Sequence, residues 1–208
     1  MNNWKYYCPL NKNGFSWLIL VLLVAGAFLL SCFDKDHLFW LLNQQHSFIG
    51  DIFFRYYTHV GDGLVMIAIG VVLLGLRKRK LGLMILISFL ISGLIVQLSK
   101  RYKPEPRPGK YFTEINRIHS VHDQPLTGNN SFPSGHTTTA FALFSMLAFH
   151  SRKYSLQIFY FLAALLVGYS RIYLGQHFFK DVYAGALLGY GCSLVIFKQL
   201  REKDFGGY

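Results

Sequence analysis

Two histidines in this sequence stand beside residues that would fit them for nucleophilic and acid–base chemistry. His177 precedes Asp181 by four positions, so on a helix the two side chains would share a face. A carboxylate beside an imidazole fixes its tautomer and stabilises its charged form, which makes His177 the better nucleophile. His136 is then the candidate general acid for a leaving oxygen. The plain alternative for His177 and Asp181 is a surface pair that contributes about 0.2–0.5 kcal/mol.

Two cations lie in a proline-rich segment upstream. Lys100 and Arg107 are seven positions apart, nearly two turns of a helix. The intervening Pro104 and Pro106 prevent that helix, so a rigid extended or turn segment is expected to place both cations. On its own, this cluster fits an interfacial basic patch attracted to lipid headgroups better than a catalytic site.

Arg171 supplies a third cation. It precedes His177 by six positions, about 240° around a continuous helix, so the two side chains can converge only if the chain bends. Gly175 sits between them, where such a bend could occur.

Ser134 and Gly135 add neutral donors directly before His136. A glycine after a serine at a helix start lets backbone N–H groups face an anion, and the serine hydroxyl can donate as well. An ordinary helix cap would explain these two residues but not the histidine that follows them. With the three cations they would form a cage for a phosphoryl group, whose charge is met by positioned donors. No carboxylate cluster typical of Mg²⁺ or Zn²⁺ is evident, so we predict no metal and no cofactor.

The elements that must position these residues are apolar. Of the 208 residues 52% are hydrophobic and only 15% are charged, against about 25% charged in a typical soluble domain. The apolar residues form blocks long enough for membrane helices. We therefore predict one all-α domain over residues 1–208, a bundle of six transmembrane helices at 15–33, 63–76, 81–99, 137–149, 156–173 and 182–197.

Two segments between the blocks differ from ordinary loops. Residues 34–60 mix aromatic and polar side chains, which predicts a short segment lying at the membrane interface after the first helix. Residues 100–132 are polar and rich in turn formers, and they form the only long loop in this interpretation. A long loop in a compact domain is usually functional.

The charge distribution predicts the orientation. The net charge is +11, but the basic residues lie between the apolar blocks and form no stripe, so we expect no nucleic-acid partner. With both termini cytoplasmic, the inner side would carry 11 basic and two acidic residues, and the outer side ten basic and eight acidic ones. This asymmetry favours cytoplasmic termini and an outward-facing site. The sequence specifies no oligomeric state.

The pattern resembles the type 2 phosphatidic acid phosphatase superfamily. Its signature is K-x6-R-P, then P-S-G-H, then S-R-x5-H-x3-D, and every position is present here in order and spacing. The matching segments are Lys100 with Arg107-Pro108, Pro133-Ser134-Gly135-His136, and Ser170-Arg171 with His177 and Asp181. The resemblance extends to a six-helix arrangement over most of residues 15–198.

The resemblance implies a metal-free phosphatase of a bacterial cytoplasmic membrane that acts through a phosphohistidine. His177 would attack phosphorus with support from Asp181, and His136 would protonate the leaving oxygen. The implied phosphate-binding residues are Lys100, Arg107, Ser134, Gly135 and Arg171. Substrates of the undecaprenyl diphosphate, phosphatidylglycerophosphate or phosphatidate type would fit, and the bilayer would hold the lipid chain. Arg101, Lys103 and Lys110 are further cations that could hold a second phosphate or an acidic headgroup.

Several other functions stay open. The same signature occurs in soluble vanadium-dependent haloperoxidases, which we discount because the chain is short and its helices are typical of membrane spans. A lipid A phosphatase or a lipid phosphotransferase of the same superfamily is an alternative enzyme. A lipid transporter or scaffold is the non-enzyme alternative. The charges at helix ends and the complete His136, His177 and Asp181 set argue against that last alternative.

Overall fold

Nine α-helices and two 3₁₀ turns make up the part of the chain that the structure, a computed structural model, describes, namely residues 13–121 and 126–201. The two ends of the predicted domain 1–208 lie outside the described residues. The helices are α1 (Gly14–Cys32), α2 (Lys35–Asn43), α3 (Phe48–Tyr57), α4 (Gly63–Gly75), α5 (Arg79–Tyr102), α6 (Pro108–Tyr111), α7 (Gly135–Phe149), α8 (Tyr154–Tyr173) and α9 (Phe179–Leu200). The 3₁₀ turns are Thr58–Gly61 and Ile115–Arg117, and no strand occurs among these residues.

Each of the six predicted apolar blocks coincides with a helix. The blocks correspond to α1, α4, α5, α7, α8 and α9, with ends that differ by at most three residues. Of the helices in the described chain, α1, α5 and α8 are long and apolar enough to cross a membrane. A fourth span results if the segments Phe48–Gly61 and Gly63–Gly75, bent by 54° against each other, are counted as one. The all-helical architecture is confirmed, whereas the count of six spans and the orientation stay predictions.

The short helix α7 is the core of the bundle. It has 15 residues, and eleven of them are buried against neighbouring helices, chiefly α5, α8 and α9. Its apolar run therefore faces protein on nearly every side, as expected of a helix that is hydrophobic all round. Phe141, Met146 and Phe149 fill the space between α7 and its neighbours.

Two glycines let α9 approach the backbone of α7. A Cβ at Gly189 would lie 2.2 Å from the carbonyl oxygen of Thr138, and one at Gly185 would lie 2.7 Å from that of Ser134. At the same end the Ser134 N–H donates to the carbonyl oxygen of Asp181 at 3.0 Å. The close crossing therefore fixes the first turn of α7 against the first turn of α9, where the predicted site residues lie.

The segment after the first helix folds as α2 and α3. On α3, Phe48, Ile49 and Tyr56 are exposed in the isolated chain. Aromatic and apolar side chains of this kind are typical of a helix that lies at the bilayer surface. An interfacial position for this segment stays a prediction.

The long loop is tied together at its two ends. Glu105 and Asn130 form an isolated parallel bridge. The Arg107 N–H donates to the Gly128 carbonyl at 2.9 Å, and the Ser131 N–H donates to the Glu105 carbonyl at 3.0 Å. These bonds hold the part of the loop around Arg107 beside the segment that leads into α7.

Candidate active site

His177 lies in the turn between α8 and α9, not on a helix shared with Asp181. Gly175 has a φ of +68°, a left-handed conformation that glycine adopts without strain, and the chain bends there after α8. His177 follows the bend, and Asp181 lies in the first turn of α9. Their side chains still pair, with 3.6 Å between His177 Nδ1 and Asp181 Oδ2. Because Nδ1 faces the carboxylate, Nε2 is the nitrogen left for a substrate.

Two donors hold one oxygen of the Asp181 carboxylate on its buried side. The Ser131 hydroxyl donates to Oδ2 at 2.5 Å, and the Phe178 N–H donates to the same oxygen at 3.0 Å. The Ser131 oxygen is also 3.4 Å from His177 Nδ1. These contacts hold the carboxylate and the imidazole in one arrangement, and Ser131 is a member of the site that the sequence patterns did not single out.

Burial sets the protonation state of His177. Its side chain is 3% exposed and that of Asp181 is 0% exposed. Desolvation lowers the pKa of His177 to about 4, and the hydrogen bond and charge of Asp181 oppose that shift without cancelling it. His177 is therefore neutral at neutral pH, which is the form that can act as a nucleophile.

Lys100 and Arg107 reach the site from the end of α5 and from the loop. Lys100 lies in the last turn of α5, so it is helical rather than part of an extended segment as expected, and its Nζ is 3.9 Å from a Cβ placed on Gly135. Arg107 donates from Nε to Asn130 Oδ1 at 2.9 Å and from Nη1 to Gln176 Oε1 at 2.6 Å. These amides fix the guanidinium plane.

Arg171 is buried at the end of α8. Its Nη1 donates to the Thr58 hydroxyl at 2.6 Å. Among the described residues, neither Arg171 Nε nor the side-chain nitrogen of Gln176 has a hydrogen-bond partner. A buried donor without an acceptor is costly, and phosphoryl oxygens in the cage would satisfy such donors.

Ser134 and Gly135 form the start of α7, as predicted. Ser134 is the residue before the helix, but its side chain makes no capping hydrogen bond, so the ordinary cap is not what it provides. Its hydroxyl oxygen accepts from Thr137 at 2.9 Å, which leaves the Ser134 proton available for an anion. Gly135 has no side chain to separate Lys100 from the N–H groups of this helix end.

His136, the second residue of α7, is only partly buried. Its Nε2 is 3.9 Å from the Asp62 Oδ1 atom, and its side chain is 31% exposed. His136 also borders an apolar groove of about 350 Å³ between α4, α5 and α7. Its lining includes Gly135 on α7 and Gly93, Leu90 and Leu94 on α5.

The structure thus gathers the eight predicted residues at one end of the bundle, from α5, the long loop, α7, the α8–α9 turn and α9. The sequence patterns missed the residues that hold them, because each is a single polar side chain with no motif spacing. Those residues are Thr58, Asp62, Asn130, Ser131 and Gln176. Within residues 13–121 and 126–201, no group of three or more His, Cys, Asp or Glu side chains is placed to hold a metal ion.

Fold and site together define a helical membrane protein with three cations and two histidines at one end of its bundle. The PAP2 superfamily model matches residues 81–205, which contain all eight predicted site residues. The chain belongs to the PAP2 superfamily.

Relatives within the superfamily include proteins named for lipid phosphate hydrolysis. An undecaprenyl-diphosphatase from Sulfolobus acidocaldarius is 35% identical over 113 residues, which cover 54% of this chain and 52% of the relative. Phosphatidylglycerophosphatase B from Bacillus subtilis is 31% identical over 145 residues, 64% of this chain and 66% of the relative. The chain thus spans about half the length of the first of these relatives.

A solved structure agrees with the fold. The crystal structure of Aquifex aeolicus LpxE superposes with a TM-score of 0.71 at 31% identity, covering 81% of this chain and 98% of that one. The apolar helices and the membrane phosphatases in this superfamily identify the chain as an integral membrane protein.

Proposed function

We propose that this protein is a membrane lipid phosphatase that hydrolyses a phosphomonoester or diphosphate of a lipid through a phosphohistidine. The observation that carries the proposal is the buried His177–Asp181 pair, with 3.6 Å between Nδ1 and Oδ2, beside the three cations Lys100, Arg107 and Arg171. A neutral imidazole oriented by a carboxylate is an activated nucleophile. Cations and buried donors without acceptors fit a phosphoryl group better than any neutral substrate.

The first step forms a phosphorus–nitrogen bond and breaks the phosphorus–oxygen bond to the lipid. His177 Nε2 attacks phosphorus while Asp181 stabilises the positive charge that develops on the ring. His136 donates its proton to the departing oxygen, so the lipid leaves as an alcohol or as a monophosphate. Lys100, Arg107 and Arg171 neutralise the equatorial oxygens, with Ser134 and the N–H groups at Gly135 as further donors.

The second step returns the enzyme. Water attacks the phosphohistidine, and His136, now neutral, takes the proton from that water. The phosphorus–nitrogen bond breaks, which releases inorganic phosphate and leaves His177 neutral. Each residue is thereby restored without a metal ion or a cofactor.

The apolar groove beside His136 fits the hydrocarbon chain of such a substrate. Leu90 and Leu94 on α5 line the groove and are exposed on the outside of the bundle, so the groove opens toward the lipid. A phosphate in the cage would then place a chain along α5, with the headgroup at the interface.

The relatives' names favour an undecaprenyl diphosphate or phosphatidylglycerophosphate type of substrate. The alternative function, a lipid A phosphatase, is supported by the similarity to a Rhizobium johnstonii lipid A 1-phosphatase, which is 30% identical over 118 residues.

Phosphate release from purified protein tests the function. The panel is undecaprenyl diphosphate, phosphatidylglycerophosphate, phosphatidate and lipid A, each with and without EDTA. We expect EDTA-resistant release from at least one lipid, lost in His177→Ala and kept in Glu114→Gln, an exposed carboxylate control that pairs with Arg117. Absence of release from every lipid, or full release by His177→Ala, would contradict the proposal. Transfer to an added alcohol in place of water would instead identify a phosphotransferase.

We also propose that the site faces outward from a bacterial cytoplasmic membrane, with both termini inside. Tyr102 at the site end of α5 and Leu76 at the opposite turn are both exposed. In a variant without native cysteines, a membrane-impermeant maleimide added to spheroplasts should label Tyr102→Cys and spare Leu76→Cys until the membrane is permeabilised. The reverse labelling pattern would invert the topology.

Lys103 and Lys110 are proposed to recognise a second phosphate. Lys103 is exposed and lies in the same loop as Arg107, with its Nζ 3.7 Å from Glu105 Oε1. A Lys103→Ala, Lys110→Ala double variant should lose several-fold more kcat/KM on a lipid diphosphate than on the matching monophosphate. Equal losses on both substrates would remove this role.

A further inference from the structure

The protonation state of His136, the general acid of the proposed reaction, needs a structural explanation. His136 must be an imidazolium when the leaving oxygen departs, yet the surroundings oppose that form. Burial, followed by the charges of Arg171, His177, His59 and Lys100, lowers the pKa of His136. A neutral imidazole is too weak an acid to assist the departure of an alkoxide at neutral pH, so another group must stabilise the charged ring.

Asp62 is placed to do this. It lies between the 3₁₀ turn Thr58–Gly61 and α4, and its Oδ1 is 3.9 Å from His136 Nε2. Among the described residues it is the only carboxylate within ion-pair distance of His136. The distance is longer than a hydrogen bond, but an opposite charge within about 4–6 Å favours the imidazolium. Catalytic contacts of this kind also shorten once substrate is bound.

The fold holds Asp62 at this position by a close backbone contact. A Cβ at Gly61 would lie 2.8 Å from the carbonyl oxygen of His136 and 2.6 Å from Val167, so the turn can touch the start of α7 only because residue 61 is glycine. The same turn carries Thr58, which accepts the hydrogen bond from Arg171. One short turn thus contacts the cage on one side and the acid on the other.

His59 orients the carboxylate from outside. Its Nδ1 is 3.2 Å from Asp62 Oδ2, so the two oxygens of Asp62 face different histidines. Side-chain exposure rises outward, from 31% at His136 to 42% at Asp62 and 57% at His59. The outer imidazole can therefore fix Asp62 without being part of the buried cage.

We infer that Asp62, oriented by His59, is a positioning residue that keeps His136 in its protonated form for the departure of the lipid oxygen. The inference rests on the proposed function and names a part of it that lies outside the signature motifs. In this role Asp62 acts through His136, so this part of its effect must depend on how much the leaving group needs a proton. The Asp62 charge also acts on Arg171 of the cage, and that part should affect both substrates alike.

That dependence gives the test. An alkyl phosphate releases an alcohol that needs a proton, whereas p-nitrophenyl phosphate releases a stable phenolate that does not. For Asp62→Asn we expect kcat/KM to fall by about 10–100-fold on a short-chain alkyl phosphate and by less than about threefold on p-nitrophenyl phosphate. On the alkyl substrate, the basic limb of the pH profile should move to lower pH. The double variant Asp62→Asn, His136→Gln should lose no more than His136→Gln alone.

Two further variants keep the outcome decisive. His59→Gln removes the ring that orients Asp62 but also a charge that lowers the pKa of His136, so we expect a loss on the alkyl substrate that is smaller than that of Asp62→Asn. Glu114→Gln, the matched surface control, should leave kcat/KM unchanged on both substrates. Equal losses on both substrates, or no loss, would overturn the role of Asp62. Hydrolysis of both substrates by His177→Ala would instead overturn the proposed phosphohistidine, so the two failures are distinguishable.

Discussion

The two histidines of the site are held by carboxylates in opposite ways. His177 and Asp181 are buried, 3% and 0% exposed, and Ser131 and the Phe178 N–H fix the carboxylate by hydrogen bonds. His136 and Asp62 are 31% and 42% exposed and lie 3.9 Å apart. A nucleophile must be neutral and aimed, which burial and rigid bonds provide. A group that gives and then takes a proton must reach both protonation states, and its contacts are often long before substrate binds.

The structural elements that hold the two histidine–carboxylate pairs also differ in how extensively they pack on the rest of the bundle. The His177 pair is held by the bend at Gly175 and by the first turn of α9, which packs on the core helix α7. The His136 pair depends on one turn that touches α7 at Gly61. We therefore expect substitutions in the His177–Asp181 pair to abolish hydrolysis of both the alkyl and the aryl phosphate. Substitutions in the His136–Asp62 pair should slow the substrate with the poorer leaving group more than the other.

The largest effect is expected at the nucleophile. His177→Ala should lower kcat/KM by about 10⁴-fold or more on both the alkyl phosphate and p-nitrophenyl phosphate, because no phosphorus–nitrogen bond can form. His136→Gln should discriminate between the two substrates. Steady-state assays in detergent with a thermal unfolding control measure this, and a leaving-group preference in His177→Ala would contradict the division of roles.

The supporting carboxylate comes next. Asp181→Asn keeps the shape of the side chain but removes the charge that stabilises the imidazolium, so we expect a loss of about 10²–10⁴-fold in kcat. Ser131→Ala should cost about tenfold, since one of the bonds to that carboxylate is lost. Both losses should be similar for alkyl and aryl substrates. A loss much larger on the alkyl than on the aryl substrate would show that Asp181 acts on the acid rather than on the nucleophile.

The crossing of α7 and α9 joins the two pairs, and it can be tested by one methyl group. Gly189→Ala places a Cβ 2.2 Å from the Thr138 carbonyl oxygen, so we expect the free energy of unfolding to fall by about 1–3 kcal/mol. Gly191→Ala on the same helix is the matched control, because the new Cβ would meet no atom from the neighbouring helices within 4 Å. Thermal unfolding should separate the two variants. Equal stability would mean that the close crossing is absent in the membrane.

The smallest effect is a shift in the pH profile. Because burial lowers the pKa of His177 to about 4, His177 loses its neutral form only as the pH falls through that value. The acid limb of kcat/KM, corrected for the substrate phosphate's titration near pH 6, should lie near pH 4. The charge of Asp181 raises this pKa, so Asp181→Asn should move the limb to still lower pH. A wild-type limb near pH 6.5 would indicate a solvated His177.

The sequence predicted the helices, and the structure brings the proposed cage residues together at one end of the bundle, but the contacts that hold those residues were not predicted. Long apolar blocks predict helices whether lipid or protein surrounds them, which is why the burial of α7 could not be foreseen. The bend at Gly175 follows from the helical angle between Arg171 and His177. The Arg171–Thr58 contact, by contrast, joins residues 113 positions apart and depends on how a single turn packs. No local pattern encodes such a pairing, and the same holds for Asp62.

Trapping of the covalent intermediate tests the central claim most directly. Wild-type protein mixed with a ³²P-labelled lipid phosphate and quenched within milliseconds should carry label that is stable to base and labile to acid, as a phosphohistidine is. Peptide mapping should place the label at His177, and His177→Ala should carry none. Turnover at a full rate with no trapped label, or label at any other residue, would contradict the assignment of His177 as the nucleophile.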